Sequence, residues 1–151
     1  MKPLLDAESL VTTRAALEPY RTRDWSAVQY LWEAIGDGIR WDEGASEALG
    51  GKKECVLVFD PNPQNMVARL EVARSVRRND APLGYRCTAE KVRELLSASW
   101  VPNADFYVLD ASGAFLGLRS HEDVLSMTGL WVPEKKKPNQ AAQTRSLTRP
   151  V

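Results

Sequence analysis

Hydrophobic positions crowd into a few short runs, and the clearest run begins after Asp105. Phe106-Tyr107-Val108-Leu109 offers apolar groups to both faces of an extended chain, so it asks for cover on both sides of a sheet. Ala111-Ser112-Gly113 follows, and Gly113 suits the left-handed last position of a three-residue hairpin loop. Phe115-Leu116-Gly117-Leu118 is then the return strand. Ser120 precedes a predicted short helix with Glu122 and Asp123 in its first turn, where carboxylates favour the positive end of the dipole.

Cys55-Val56-Leu57-Val58-Phe59 is a second strand that is apolar on both faces, and it stops at Asp60. Pro61-Asn62-Pro63 turns the chain. Asn62 is placed to cap, and Pro63 to begin, a helix running to about Arg78 with Met66, Leu70, Ala73 and Val76 on its inward face. Residues 84–87 are a candidate further strand, and Thr88 caps a helix that buries Val92, Leu95 and Leu96. At the N-terminus, residues 6–18 predict a helix with Asp6 as its cap. A second helix starts at Asp24, where Trp25, Val28, Leu31, Trp32 and Ile35 recur at spacings of three and four. Gly36-Asp37-Gly38 breaks it, and the small-residue stretch 42–53 connects the helical hairpin to the sheet.

The predicted fold is therefore α+β. A small mixed sheet built from residues 54–60, 105–110 and 114–118, with 84–87 as a fourth candidate, is covered by helices and preceded by a helical N-terminal hairpin. One domain is expected over residues 1–132: an acidic helical part over 1–50 and a sheet-containing part over 51–132. Residues 133–151, polar and proline-punctuated, are expected to form a disordered basic tail.

Composition changes this picture little. A chain of 151 residues, 44% hydrophobic and 26% charged, has room for one ordinary globular core. Net charge is zero, which argues against binding nucleic acid or membrane surfaces through bulk charge. The distribution is uneven, however: residues 1–50 carry 9 acidic and 5 basic side chains, a balance of −4. The remaining residues carry the compensating positive excess. No apolar run approaches the roughly 20 residues of a membrane helix, and the N-terminus lacks the pattern of a secretory signal, so a cytoplasmic location is expected. Cys55 and Cys87 show no paired spacing and read as reduced, buried thiols.

Candidate chemistry is sparse. One histidine and two cysteines form no zinc pattern, the glycines match no phosphate loop, and neither a metal nor a cofactor is expected. His121, the only imidazole, reads as a partly exposed residue at a helix start. Asp60 ends one apolar strand and Asp110 another. If those strands lie side by side and parallel, the two carboxylates converge at one sheet edge with Asn62 beside them, in a place where open sheets bind ligands. Trp25 and Trp41 are candidate anchors for a protein partner. Lys52, Lys53, Arg74, Arg77 and Arg78 are the candidate contacts for nucleic acid.

Three local likenesses bear on these residues. VLVFDPNPQN, a helix, GYRC, a second helix and DFYVLD together resemble the first half of a response-regulator receiver. That likeness implies Asp60 in the acidic pocket and Asp110 as phosphoacceptor, with Pro61 where the family's second acid stands. FYVLDASGAFLGLRSHEDVL resembles the end of a CBS nucleotide-sensing repeat in a single copy. YRTRDWSAVQYLWEA is similar to the opening helix of the GNAT acetyltransferases, without the glycine-rich loop that should follow. With no catalytic constellation in view, the expected function is that of a small non-enzymatic accessory or regulatory protein that binds a macromolecule. A nucleic-acid accessory protein and a receiver-like or nucleotide-sensing domain are the alternatives. Oligomeric state is open at this level.

Overall fold

A computed structural model describes residues 1–35, 39–42, 54–121 and 130–133, with backbone alone for 39–42, 102 and 130–133. Seven strands among them form one sheet: β1 (Lys2–Pro3), β2 (Ile39–Asp42), β3 (Glu54–Phe59), β4 (Gly84–Thr88), β5 (Phe106–Asp110), β6 (Phe115–Arg119) and β7 (Leu130–Pro133). Their order across the sheet is β1-β4-β3-β5-β6-β7-β2. Helices α1 (Asp6–Leu17), α2 (Met66–Ser75) and α3 (Ala89–Leu95) cover it. The α+β architecture expected from the sequence is present, and the sheet includes the candidate strand at 84–87.

Each central strand is apolar on both faces because both faces are covered. Cys55, Leu57 and Phe59 of β3 pack with Tyr85, Phe106 and Val108 against Ala68 and Val72 of α2 and Val92 of α3. Val56 and Val58 point the other way and join Tyr107 and Leu109 under Ala16 and Leu17 of α1, with Leu31 and Ile35. This two-residue alternation serves two cores at once. One extra residue in β6 adjusts the pattern: Leu109 pairs with Phe115, but its neighbour Val108 pairs with Gly117. The bulge leaves Phe115 and Leu118 on the same face as Leu109 and Tyr107. Gly113 supplies the expected left-handed turn, with φ +91°.

Three expectations are corrected. First, the sheet is not mixed: every described pairing is antiparallel, including β3 with β5. Second, the N-terminal hairpin has only its first helix. Residues 24–35 form two separate 3-10 turns, Trp25–Ala27 and Leu31–Ala34, with extended backbone at Asp24, Val28 and Tyr30. The helical spacing is overridden because side chains capture the amides of residues 29 to 32, two of them from within the segment and two from distant positions. Glu33 Oε1 accepts from the Gln29 and Tyr30 N–H groups at 2.9 Å each, Asp60 takes Leu31 N–H, and the Tyr107 hydroxyl takes Trp32 N–H. Third, α2 keeps only half of its predicted inward face. Ala73 is buried and Val76 packs against the core, joined by Ala68 and Val72, while Met66 and Leu70 are exposed.

Close approach explains the small residues on α1. Ser9 and Thr13 form its buried face, and a β-carbon added at Gly84 of β4 would collide with the Ser9 hydroxyl. At the sheet edge, Leu4 N–H bonds Gly84 O at 2.9 Å, so the nitrogen of Pro3 faces outward where an ordinary residue would leave a free donor. A two-residue edge strand carrying proline and lysine blunts that edge against further strand pairing. Cys55 and Cys87 sit directly opposite one another on β3 and β4, both buried and neither in a disulfide, and burial pushes the Cys87 thiol up to about 11.

Candidate functional site

Register decides which carboxylates meet. In the antiparallel pairing, Cys55 lies opposite Asp110 and Phe59 opposite Phe106, so Asp60 and Asp110 end up at opposite ends of the strands. At a rise of about 3.4 Å per residue this separates them by roughly 17 Å. The same register, carried one step further, sets Asp60 opposite Asp105, and Asp60 N–H bonds Asp105 O at 2.9 Å. The expected Asp60/Asp110 pocket is therefore absent, and with it the parallel arrangement that the receiver likeness implies. Asp110 instead organises its own turn: its Oδ1 accepts from Ser112 N–H, Ser112 Oγ–H and Ala114 N–H at 2.9, 2.6 and 3.0 Å.

Around Asp60 and Asp105 lies a buried polar hub. Asp60 Oδ2 accepts from the Tyr107 hydroxyl at 2.6 Å and from Leu31 N–H at 2.8 Å. Asn62 does not cap the helix. Its Nδ2 lies 3.0 Å from both Asp60 Oδ1 and Asp105 Oδ2 and bridges the two carboxylates. Asn65 locks the two backbones together: its Nδ2 donates to the carbonyls of Asp60 and Asp105, and its Oδ1 accepts from Asp105 N–H. Asp105 also accepts from His121 N–H at 2.7 Å, and the His121 Nδ1 lies 2.8 Å from each of its carboxylate oxygens. Tyr30 meets the imidazole edge-on at 4.9 Å and stacks on Trp32, the two rings 3° from parallel.

Burial raises the Asp60 carboxyl above its usual range against the opposing pull of Tyr107, Leu31 and Asn62, with the negative neighbour Asp105 adding to the rise. Burial likewise holds the Tyr107 hydroxyl well above its ordinary value, and the adjoining Asp60 charge reinforces this. The carboxylates are thus spent on donors from four separate parts of the chain: the 3-10 turn at residue 31, the loop after β3, the start of β5 and the exit from β6. The Asp105–His121 pair has the orientation of a base and its orienting acid. Among the described residues, no group of three or more acidic, histidine or cysteine ligands could hold a metal. The geometry is that of a latch.

Asp105, Asn65, Tyr107 and His121 were not among the candidate site residues. The alternating pattern does mark Tyr107 as a polar-tipped member of an apolar strand, and that was the available signal. Trp25 is half-buried against the α1-side core with the Arg14 guanidinium 5.9 Å over its ring, and of Trp41 only the backbone in β2 is described. Lys52 and Lys53 lie outside the described residues, as do the predicted helix after Ser120 and the tail. Arg74 pairs with Glu71 at 3.2 Å and Arg78 with Asp80 at 2.8 Å, both at the surface. Arg77 closes α2 in a left-handed conformation, φ 59°. Arg77 N–H bonds Arg74 O and Arg78 N–H bonds Ala73 O, as in a Schellman cap.

Outside the hub, the surface feature that stands out is apolar. Met66, Val67 and Leu70 of α2 are 42%, 68% and 37% exposed, and Leu5, just before α1, is 76% exposed. Leu5 and Met66 both line an open cleft of about 880 Å³. Comparison with protein-family models, with curated proteins and with solved structures finds no match.

Proposed function

We propose that this chain is a non-enzymatic accessory domain that binds a protein partner, and that the outward face of α2, with Leu5 of the adjoining cleft, is its docking surface. The observation that carries this is the alignment of exposed Met66, Val67 and Leu70 on a helix whose inward face is already filled by Ala68, Val72 and Ala73. Large exposed apolar side chains grouped on one element mark interaction sites, whereas scattered ones need no explanation. The tryptophan-bearing N-terminal part is a weaker choice, because Trp25 is engaged in packing. Nucleic-acid binding also ranks lower, since Arg74 and Arg78 are each balanced by a carboxylate. The buried thiols, neither in a disulfide, suit a reducing compartment, and no helix among the described residues is long and apolar enough to cross a membrane; we place the protein in the cytoplasm.

The test is a photo-crosslinking amino acid at position 67 in producing cells, with position 90 on the exposed side of α3 as control. A covalent adduct with one defined protein from position 67 alone is expected. No adduct from position 67, or equal labelling from both positions, would exclude α2 as the docking face.

A further inference from the structure

Register brings the two thiols of this chain together. The pairing of β3 with β4 sets Cys55 opposite Cys87, and both side chains enter the same core, on the α2 and α3 side of the sheet. Phe59 N–H bonds Leu83 O at 2.8 Å, so the hydrogen-bonded pairs of this ladder fall at 59 and 83, 57 and 85, and 55 and 87. Such a pair holds its α-carbons about 5.5 Å apart, inside the roughly 4.4–6.8 Å that a disulfide spans. Its β-carbons lie about 4.5–5.5 Å apart, whereas a disulfide wants roughly 3.5–4.5 Å. Bridging the two residues therefore draws the strands together by up to about 1 Å, and a bond made under that tension is readily reduced.

The two thiols differ in access. Cys55 is fully buried, whereas Cys87 is 8% exposed and lines an open cleft of about 630 Å³ together with Glu54, Val76, Thr88 and Lys91. A small oxidant thus meets the Cys87 sulfur first. Cys55 waits behind it, close enough for its charge to reinforce burial in raising the Cys87 thiol. We propose that Cys55 and Cys87 are a reversible redox site, closing to a cross-strand disulfide when the chain meets a peroxide. The Cys87 thiolate attacks one peroxide oxygen and the O–O bond breaks, giving a sulfenic acid and a hydroxide that takes up the proton Cys87 released. The Cys55 sulfur then attacks the Cys87 sulfur, the S–O bond breaks, and the departing hydroxide leaves as water with the Cys55 proton. Two thiols are oxidised to one disulfide, and one hydrogen peroxide is reduced to two waters. The ring so closed encloses residues 56–86, with all of α2 inside it.

Treating the folded full chain with hydrogen peroxide, followed by thiol titration after unfolding and a non-reducing peptide map, tests this. The expected product has lost both thiols, its Cys55 and Cys87 peptides are joined within one 16.9 kDa chain, and glutathione restores both thiols. Cys55→Ala should stop at a Cys87 sulfenic acid that dimedone traps, and Cys87→Ala should leave Cys55 unreacted under the same conditions. Oxidation should quicken about tenfold per pH unit between about pH 7 and 9, because burial holds the Cys87 proton up to about 11. A folded wild-type chain that keeps both thiols, or that links chain to chain, overturns the inference whether or not either variant folds. So does a bridge that glutathione leaves intact, a rate independent of pH, or a Cys55 oxidised as fast in Cys87→Ala as in the wild type.

Discussion

Replacing Asp60 with alanine removes the acceptor for three donors at once, and the cost can be worked from their surroundings. Leu31 N–H and the Tyr107 hydroxyl hydrogen, 2.8 and 2.6 Å from Asp60 Oδ2, lose their acceptor inside the protein, whereas Asn62 keeps its bond to Asp105. A buried donor left without an acceptor costs about 1–3 kcal/mol, so two of them come to about 4 kcal/mol. Relief of the buried charge, whose cost is visible in the raised Asp60 carboxyl, offsets part of this and leaves a net loss of about 3 kcal/mol. In a domain of this size such a loss lowers the melting temperature by about 10 °C. Asp60→Asn is the informative companion. Its amide oxygen still accepts from Leu31 and Tyr107, while its NH₂ group meets that of Asn62, so the expected loss is only about 1 kcal/mol. Circular-dichroism melts and urea titrations of the three proteins read these differences. An Asp60→Ala melt within about 2 °C of wild type, or an Asn variant as damaged as the Ala variant, would refute the donor-counting reasoning.

Three further outcomes are expected. Because burial raises the Asp60 carboxyl, the folded chain holds more protons than the unfolded chain from about pH 3.9 up to the raised value. Wild-type stability relative to Asp60→Asn should therefore fall as pH rises through that window, and a flat or rising difference in urea unfolding free energy would contradict this. Arg77→Gly should stabilise the chain by about 1 kcal/mol, since glycine adopts the left-handed cap conformation without the β-carbon penalty; a lower melting temperature would oppose it. Gly84→Ala should cost about 1–3 kcal/mol through collision with Ser9, and adding Ser9→Gly should recover most of that in a double-mutant melt.

The strands were legible because their chemistry is local. Four or five consecutive apolar residues at 55–59 and 106–109 cannot be satisfied by a sheet open on one side, and both strands are covered on two faces. Strand direction was not legible, since an apolar run reads the same whether its neighbour is parallel or antiparallel. That single ambiguity misdirected the site by pairing Asp60 with Asp110 and not with Asp105. The helix expected at 24–35 failed for a different reason. Its spacing is genuine, but Glu33, Asp60 and Tyr107 take amides of residues 29 to 32, and two of those acceptors lie more than 25 positions away. On α2 the sequence contains more apolar positions than one buried face can hold, and the tight fit to the sheet selected the smaller residues Ala68, Val72 and Ala73, leaving Met66 and Leu70 outside.

If the hub is a latch and binding belongs to α2, the two functions separate in one measurement: adduct yield from the crosslinker at position 67, compared between Asp60→Asn and Leu70→Glu backgrounds. The expected result is an adduct retained in Asp60→Asn despite its lower melting temperature, and an adduct lost in Leu70→Glu although that protein melts like wild type. An adduct that survives Leu70→Glu and disappears with Asp60→Asn would contradict the assignment and return the binding site to the buried carboxylates.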